Sequence, residues 1–249
     1  MSAAAPSTHN AGMTAEEAQI ADEAMVFAKA NRRAIAKRRT DTAIYPGEDD
    51  PVSVFMAGSP GAGKTEASIE LLSAFQTDGI HILRIDPDEL REEFPRYTGD
   101  NAWLFQRAVS ILVEKMHDVA LEQRQSFILD GTLSNYTVAE KNIERSLGRK
   151  RLVQILYVYQ EPPSAWKFVE ARESQDGRRI RPEHFVDQYF AAREVVERLK
   201  VKFGRGIKID LLLKNLDGSN RLYQANVDRI ENYVPEKFSR EQVLKIVGL

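Results

Sequence analysis

The stretch Gly58-Ser59-Pro60-Gly61-Ala62-Gly63-Lys64-Thr65 fits the pattern G-x-x-x-x-G-K-[ST], which is typical of phosphate-binding loops. The apolar run 52–57 before it predicts a buried strand, and the apolar spacing over 66–75 after it predicts a helix. In this context glycines let backbone amides point at phosphate oxygens near a helix N-terminus. We therefore predict that all of 58–65 binds ATP, with Lys64 on the outer phosphates and the Thr65 hydroxyl on magnesium.

Composition narrows the class of protein. The chain has 249 residues, and 35 Lys and Arg against 37 Asp and Glu give a net charge of -2, which argues mildly against a general nucleic-acid binder. Cysteine is absent, which excludes disulfides, thiolate metal sites and a cysteine nucleophile. The N-terminus does not resemble a signal peptide, and no run is long and apolar enough to span a bilayer. We expect a cytoplasmic protein without membrane contacts.

The rest of the chain alternates predicted strands and helices. We expect a disordered tail over 1–13, a capped helix and a linker over 14–50, and one domain over 51–249. Further strands are predicted at 80–85, 126–129, 152–159 and 207–213, and helices at 89–93, 101–123, 135–147 and 163–173. Another helix is predicted after Pro182, with its buried side chains from Phe185 to Phe203, and two short helical pieces are predicted at the end. This order predicts an α/β fold, a kinase-like three-layer sandwich with a mainly parallel central sheet and flanking helices.

Acidic residues stand where the second and third predicted strands end, and ligands of open α/β sheets bind beyond these carboxyl ends. Asp88 is a candidate general base for an acceptor hydroxyl, with Asp86 structural; alternatively, Asp88 only caps the following helix. Asp130 ends the next strand, where an acid assists magnesium in many phosphate-loop proteins. It could equally contact the acceptor, and the sequence leaves both roles open.

A basic segment follows the helix predicted at 163–173. Arg172, Arg178, Arg179 and Arg181 surround a glycine-containing turn near 174–182. Such a segment suits a mobile lid that closes over phosphate and neutralises the charge of the transferred group. The alternative is an ordinary basic surface loop.

These motifs together resemble the zeta toxin family, the toxin halves of epsilon/zeta toxin–antitoxin pairs. The resemblance extends over about 52–199: beside the phosphate loop it includes IDPDELREEFPRY from Ile85, LDGT at 129–132, and the arginines of FVEARE and GRRIRP. It implies an ATP- and magnesium-dependent phosphotransferase acting on the 3′-hydroxyl of UDP-N-acetylglucosamine, and a small antitoxin as possible partner. It further implies Asp88 as base, Lys64 as phosphate ligand, Arg172 and Arg179 as charge stabilisers, and an acceptor site at Asp130, Thr132 and Ser134.

Three positions depart from the family pattern. Asp130 replaces a glutamate, Leu133 replaces a polar residue of some members, and Phe94 replaces a histidine. The chain also partly resembles chloramphenicol phosphotransferases and polynucleotide 5′-kinases. Alternatives are therefore a kinase for another small acceptor, such as an antibiotic or a nucleotide, or a nucleotide-dependent ATPase or switch acting on nucleic acid. A protein that binds ATP without turnover is disfavoured by the intact Lys64, Thr65 and Asp88.

Overall fold

The computed structural model describes residues 13–76, 81–176 and 180–249. Within them, six strands form one sheet in the order β2-β3-β1-β4-β5-β6, in which β6 runs antiparallel to β5 and the other neighbours are parallel. The strands are β1 (Val52–Ala57), β2 (Leu83–Ile85), β3 (Phe127–Leu129), β4 (Leu152–Tyr159), β5 (Ile207–Lys214) and β6 (Asn220–Gln224). The predicted α/β class with a mostly parallel central sheet is confirmed.

Helices flank this sheet. They are α1 (Ala15–Arg39), α2 (Lys64–Gln76), α3 (Pro87–Arg91), α4 (Gln106–Glu122), α5 (Tyr136–Leu147), α6 (Pro162–Asp176), α7 (Pro182–Phe203) and α8 (Arg240–Ile246), with short 3-10 turns at 102–105, 204–206 and 230–232. In the part of the chain that the structure describes, no helix combines the length and the apolar character needed to cross a bilayer.

Local sequence signals explain where several elements begin. The predicted capping box at the start of α1 is present, because Thr14 accepts a hydrogen bond from the Glu17 amide and the Glu17 carboxylate accepts one from the Thr14 amide. The first turn of α1 is acidic and its last turn basic, which suits the helix dipole. In α3, Pro87 occupies the first turn, where its missing N–H costs nothing.

The core lies on both faces of the sheet. A large cluster of buried side chains joins one face to α1, α4, α5 and α7. A smaller cluster lies between the other face and α2, and includes Val54, Met56, Ile128 and Ala67. The face of β1 that packs on α2 therefore connects the core directly to the loop at 58–63.

Four elements differ from the sequence prediction. The helix predicted at 89–93 is α3, which begins two residues earlier, at Pro87, because Asp86 caps it. The final part of the chain contains strand β6 besides short helical pieces, because the Asp217-Gly218 turn, with Gly218 at φ 86°, folds the chain back onto β5. The helix predicted over 101–123 is a 3-10 turn followed by α4. The second strand begins at Leu83, and the start predicted for it at Ile80 lies outside the described residues, as does the tail 1–12.

His117 of α4 is a buried titratable group. Its ring packs against Phe55 and Phe127, with centroids 6.1 and 5.0 Å away. Its Nδ1 lies 3.4 Å from an Arg145 nitrogen, and its Nε2 is buried without a hydrogen-bond partner among the described residues. Burial, assisted by the charge of Arg145, lowers the pKa of His117 from 6.5 to about 3.

We expect this histidine to make the fold sensitive to acid. Between pH 6.5 and 3 the unfolded chain takes up a proton at His117 that the folded chain does not, so stability falls as pH falls. From pH 6.5 to 5 the wild type should lose about 2 kcal/mol more than His117→Phe in urea unfolding. His184→Gln, at an exposed histidine, is the control and should behave as the wild type. Equal losses in the wild type and His117→Phe would contradict this account.

Candidate active site

The loop between β1 and α2 is shaped by three glycines with positive φ. Gly58, Gly61 and Gly63 have φ of 138°, 70° and 85°. A Cβ on Gly58 would lie 2.3 Å from the Val158 carbonyl oxygen, and a Cβ on Gly61 would lie 2.1 Å from that of Ala165. No side chain fits at either distance, so the loop depends on glycine both for its dihedral angles and for its contacts.

The Lys64 side chain folds back onto this loop and bonds its backbone. Its Nζ donates to the carbonyl oxygens of Gly58, at 3.1 Å, and Ser59, at 2.6 Å, and the side chain is half-buried. Burial, with the nearby charge of Arg172, lowers the pKa of Lys64 to about 8, while Asp130 acts in the opposite direction. The ammonium group is thus held at the inner surface of the loop, where a bound anion would favour its charged form.

Thr65 lies at the start of α2, one helical turn from Ser68. The Ser68 hydroxyl makes a hydrogen bond of 2.9 Å with the Thr65 carbonyl oxygen and another of 2.9 Å with Asp130 Oδ2. Among the described residues no cluster of three or more His, Cys, Asp or Glu could hold a metal ion. A magnesium ion here would therefore be held by the Thr65 hydroxyl and a nearby carboxylate, together with phosphate and water oxygens. Magnesium commonly has few protein ligands of this kind.

The sheet register brings the acidic residues beside the loop. In the sheet, Leu129 of β3 pairs with Phe55 of β1 on one side and with Ile85 of β2 on the other. Asp130 directly follows Leu129 and Asp86 directly follows Ile85, so the two carboxylates come at the same level at the ends of neighbouring strands. Both are buried. The sequence predicted that the acidic residues at these strand ends lie at the same edge of the sheet, and Asp86 and Asp130 do lie there.

Asp86 and Asp88 differ in what they do locally. Asp86 is the N-cap of α3, and its Oδ1 accepts a hydrogen bond of 2.7 Å from the Asp88 amide. The alternative in which Asp88 caps this helix is therefore wrong. Burial raises the pKa of Asp86 to about 6, with Arg84 opposing and Asp130 reinforcing the shift. Asp88 is half-buried in the first turn, where its carboxylate accepts from Arg91.

Arg84 is a residue of this site that sequence reasoning missed. Its guanidinium donates to Asp130 Oδ2 at 2.7 Å, to Asp86 Oδ2 at 2.5 Å and to Ser68 Oγ at 3.1 Å. The available signal was an arginine inside the otherwise apolar stretch Ile82–Ile85, directly before the acidic pair.

The segment after β3 lies against the phosphate loop. The Gly58 amide donates to the Thr132 carbonyl oxygen at 3.3 Å, and the hydroxyls of Thr132 and Ser134 are 2.9 Å apart. Leu133 between them has a positive φ of 51°. Thr132 and Ser134 are half-buried and follow Asp130 along the same edge of the site.

Two of the four predicted arginines, Arg172 and Arg181, lie within the described residues. Arg172, on α6, reaches the loop, because its guanidinium donates to the Glu66 carboxylate at 2.9 Å, directly after Thr65. Arg181 precedes α7, and its guanidinium lies 5.1 Å from the Trp103 ring centroid. Arg178 and Arg179 lie outside the described residues, and so does the turn at Gly177.

Solved structures share this fold at low sequence identity. One is from the PezAT chromosomal toxin–antitoxin system of Streptococcus pneumoniae: 17% identity, a TM-score of 0.60, and coverage of 94% of this chain and 93% of that one. Two others are complexes of AvrRxo1-ORF1 with AvrRxo1-ORF2, one with sulphate ions and one with ATP, each with 16% identity, a TM-score of 0.57, and coverage of 93% of this chain and 77% of that one. At such identities the likeness shows the fold alone.

Sequence comparison identifies the family. No curated protein matches the chain. The family model described as Zeta toxin, however, matches residues 35–228, which include the phosphate loop, both acidic strand ends and all the predicted arginines. The chain therefore belongs to the zeta toxin family.

Proposed function

We propose that this protein is an ATP- and magnesium-dependent kinase that phosphorylates a hydroxyl of a small metabolite, a UDP-activated amino sugar such as UDP-N-acetylglucosamine. The observation that carries the proposal is one hydrogen-bonded chain from the phosphate loop to the end of β2. It runs from the Thr65 carbonyl through Ser68, Asp130 and Arg84 to Asp86. A donor phosphate in the loop and an acceptor near α3 would share this buried edge.

The loop would bind the donor. Backbone amides of Gly63, Lys64 and Thr65, where the loop enters α2, would face the phosphates, and Lys64 would exchange its two carbonyl partners for phosphate oxygens. A related fold, AvrRxo1-ORF1 with its partner ORF2, has been solved with ATP, which supports ATP as the donor. Magnesium, held by Thr65, would neutralise phosphate charge.

Asp88 would then act as the general base. Its carboxylate accepts the acceptor's hydroxyl proton while the oxygen forms a bond to the γ-phosphorus and the bond to ADP breaks. Arg172 and Arg179 would stabilise the charge on the transferred group. Asp130, Thr132 and Ser134 would orient the acceptor, and family membership supports the 3′-hydroxyl of UDP-N-acetylglucosamine as the target.

The base is tested by Asp88→Asn. The amide has the same shape but cannot take up the proton, so phosphate transfer should fall about a hundredfold or more while ATP affinity stays near the wild-type value. Transfer is measured as phosphorylated UDP-N-acetylglucosamine, and ATP affinity by calorimetry. Glu92→Gln makes the same chemical change at an exposed residue that ends α3, and should be as active as the wild type. An active Asp88→Asn enzyme would rule Asp88 out as the base.

The proposal extends to a protein partner, because the PezAT structure belongs to a toxin–antitoxin system. We expect expression of this chain alone to arrest bacterial growth, and co-expression of a small antitoxin to restore it. Growth curves of cells expressing the wild type or Asp88→Asn measure this, with protein levels matched by immunoblot. If a wild type that is active in vitro does not inhibit growth when expressed, the toxin role is wrong and the kinase function is unaffected.

A further inference from the structure

Arg84 lies on an edge strand of the sheet, beside an apolar cluster. It lies in β2, which ends the strand order, and is in register with Ile128 of β3, which pairs with Val54 of β1. Val54 and Ile128 both belong to the apolar cluster under α2. The row that ends at Arg84 is apolar at Ile128 and Val54 and continues beyond Val54 with the polar Gln154 and Lys208. The guanidinium of Arg84 therefore lies beside two members of the apolar cluster.

The bonding of Arg84 distinguishes it from a charge that merely protects an edge strand. A charge that points outward or inward on an edge strand can block pairing with another chain without fixed partners, whereas the Arg84 side chain, which is 12% exposed, has partners on several neighbouring elements. Its Nη2 bonds both Asp86 and Asp130, its Nε bonds Ser68, and its Nη1 bonds Glu89. These partners belong to α2, α3 and the ends of β2 and β3, all of which border the proposed site.

The bonds to Asp130 also leave one of its oxygens available. Ser68 and Arg84 both bind Oδ2, and Oδ1 makes no hydrogen bond within the described residues. In Asp86, by contrast, both oxygens have partners, because Oδ2 accepts from Arg84 and Oδ1 accepts from the Asp88 amide. One guanidinium thus holds both the buried carboxylate that follows β3 and the N-cap of the helix that carries Asp88.

We propose that Arg84 is a positioning residue for phosphate transfer, which fixes Asp130 directly and Asp88 through the Asp86 cap of α3. This inference rests on the proposed kinase function. A rigid, planar fork of donors suits the role, because it can bind three elements at once, whereas a lysine ammonium is a point charge on a flexible stem. Misplacement of catalytic groups by small distances is costly to the rate and leaves donor binding largely intact.

The test is Arg84→Met, which keeps the apolar stem and removes the fork. We expect kcat for phosphate transfer to fall about 10- to 100-fold, as for other residues that hold functional ligands in place, with ATP affinity within about twofold of the wild type. Arg84→Lys should fold even if the methionine variant does not, and should also lower kcat at unchanged ATP affinity.

Arg193→Met is the matched control. Arg193 is equally buried, at 12% exposure, and it bonds the carboxylates of Glu231 and Glu236 and the Val234 carbonyl oxygen, none of which belongs to the candidate active site. It should lower the melting temperature and leave kcat unchanged. A double-mutant cycle with Asp130→Asn adds a readout that a purely structural role would not move. If Arg84 acts through Asp130, the combined loss in kcat should be clearly smaller than the product of the single losses.

The outcomes separate two failures. A wild type that binds ATP and phosphorylates no acceptor overturns the proposed function, and this inference with it. An active wild type overturns the inference alone if the Arg84 variants keep kcat, if ATP affinity falls as much as kcat, or if the cycle with Asp130→Asn is multiplicative.

Discussion

The site depends on the close packing of the phosphate loop against neighbouring backbone. Gly58 and Gly61 approach the carbonyl oxygens of Val158 and Ala165 so closely that no Cβ could be added, and their φ values are positive. This packing fixes the loop on β4 and α6 as well as on its own strand and helix. The inward position of Lys64 and the start of α2 follow from it, because both are continuous with the loop.

The sheet adds a second constraint, which is the cost of burying charge. Asp86 and Asp130 are buried beside each other, and burial, reinforced by the charge of Asp130, raises the pKa of Asp86. Arg84 and the Ser68 hydroxyl compensate part of this cost through hydrogen bonds. Buried ionic networks seldom add much net stability, so this one is better explained by what it positions than by what it stabilises.

The sequence predicts features whose pattern lies within a few neighbouring residues, but it does not predict contacts between residues far apart in the chain. The loop, β1, α2 and the α1 cap could be predicted because each pattern lies within a few consecutive residues. The fold class followed from the alternation of strands and helices. Arg84 could not be placed, since its partner Asp130 is 46 residues away, and neither could the pairing of Arg172 with Glu66, 106 residues apart. Strand β6 was missed although the Asp217-Gly218 turn signalled a hairpin.

Transfer of phosphate from ATP to a small metabolite can be tested without assuming which metabolite is the acceptor. The protein is incubated with ATP, magnesium and a pool of bacterial metabolites, with Lys64→Ala as the inactive reference, and products are compared by mass spectrometry. The account predicts a UDP-activated amino sugar that gains one phosphate only with the wild type. Loss of ATP to ADP and free phosphate, with no phosphorylated metabolite, would contradict it.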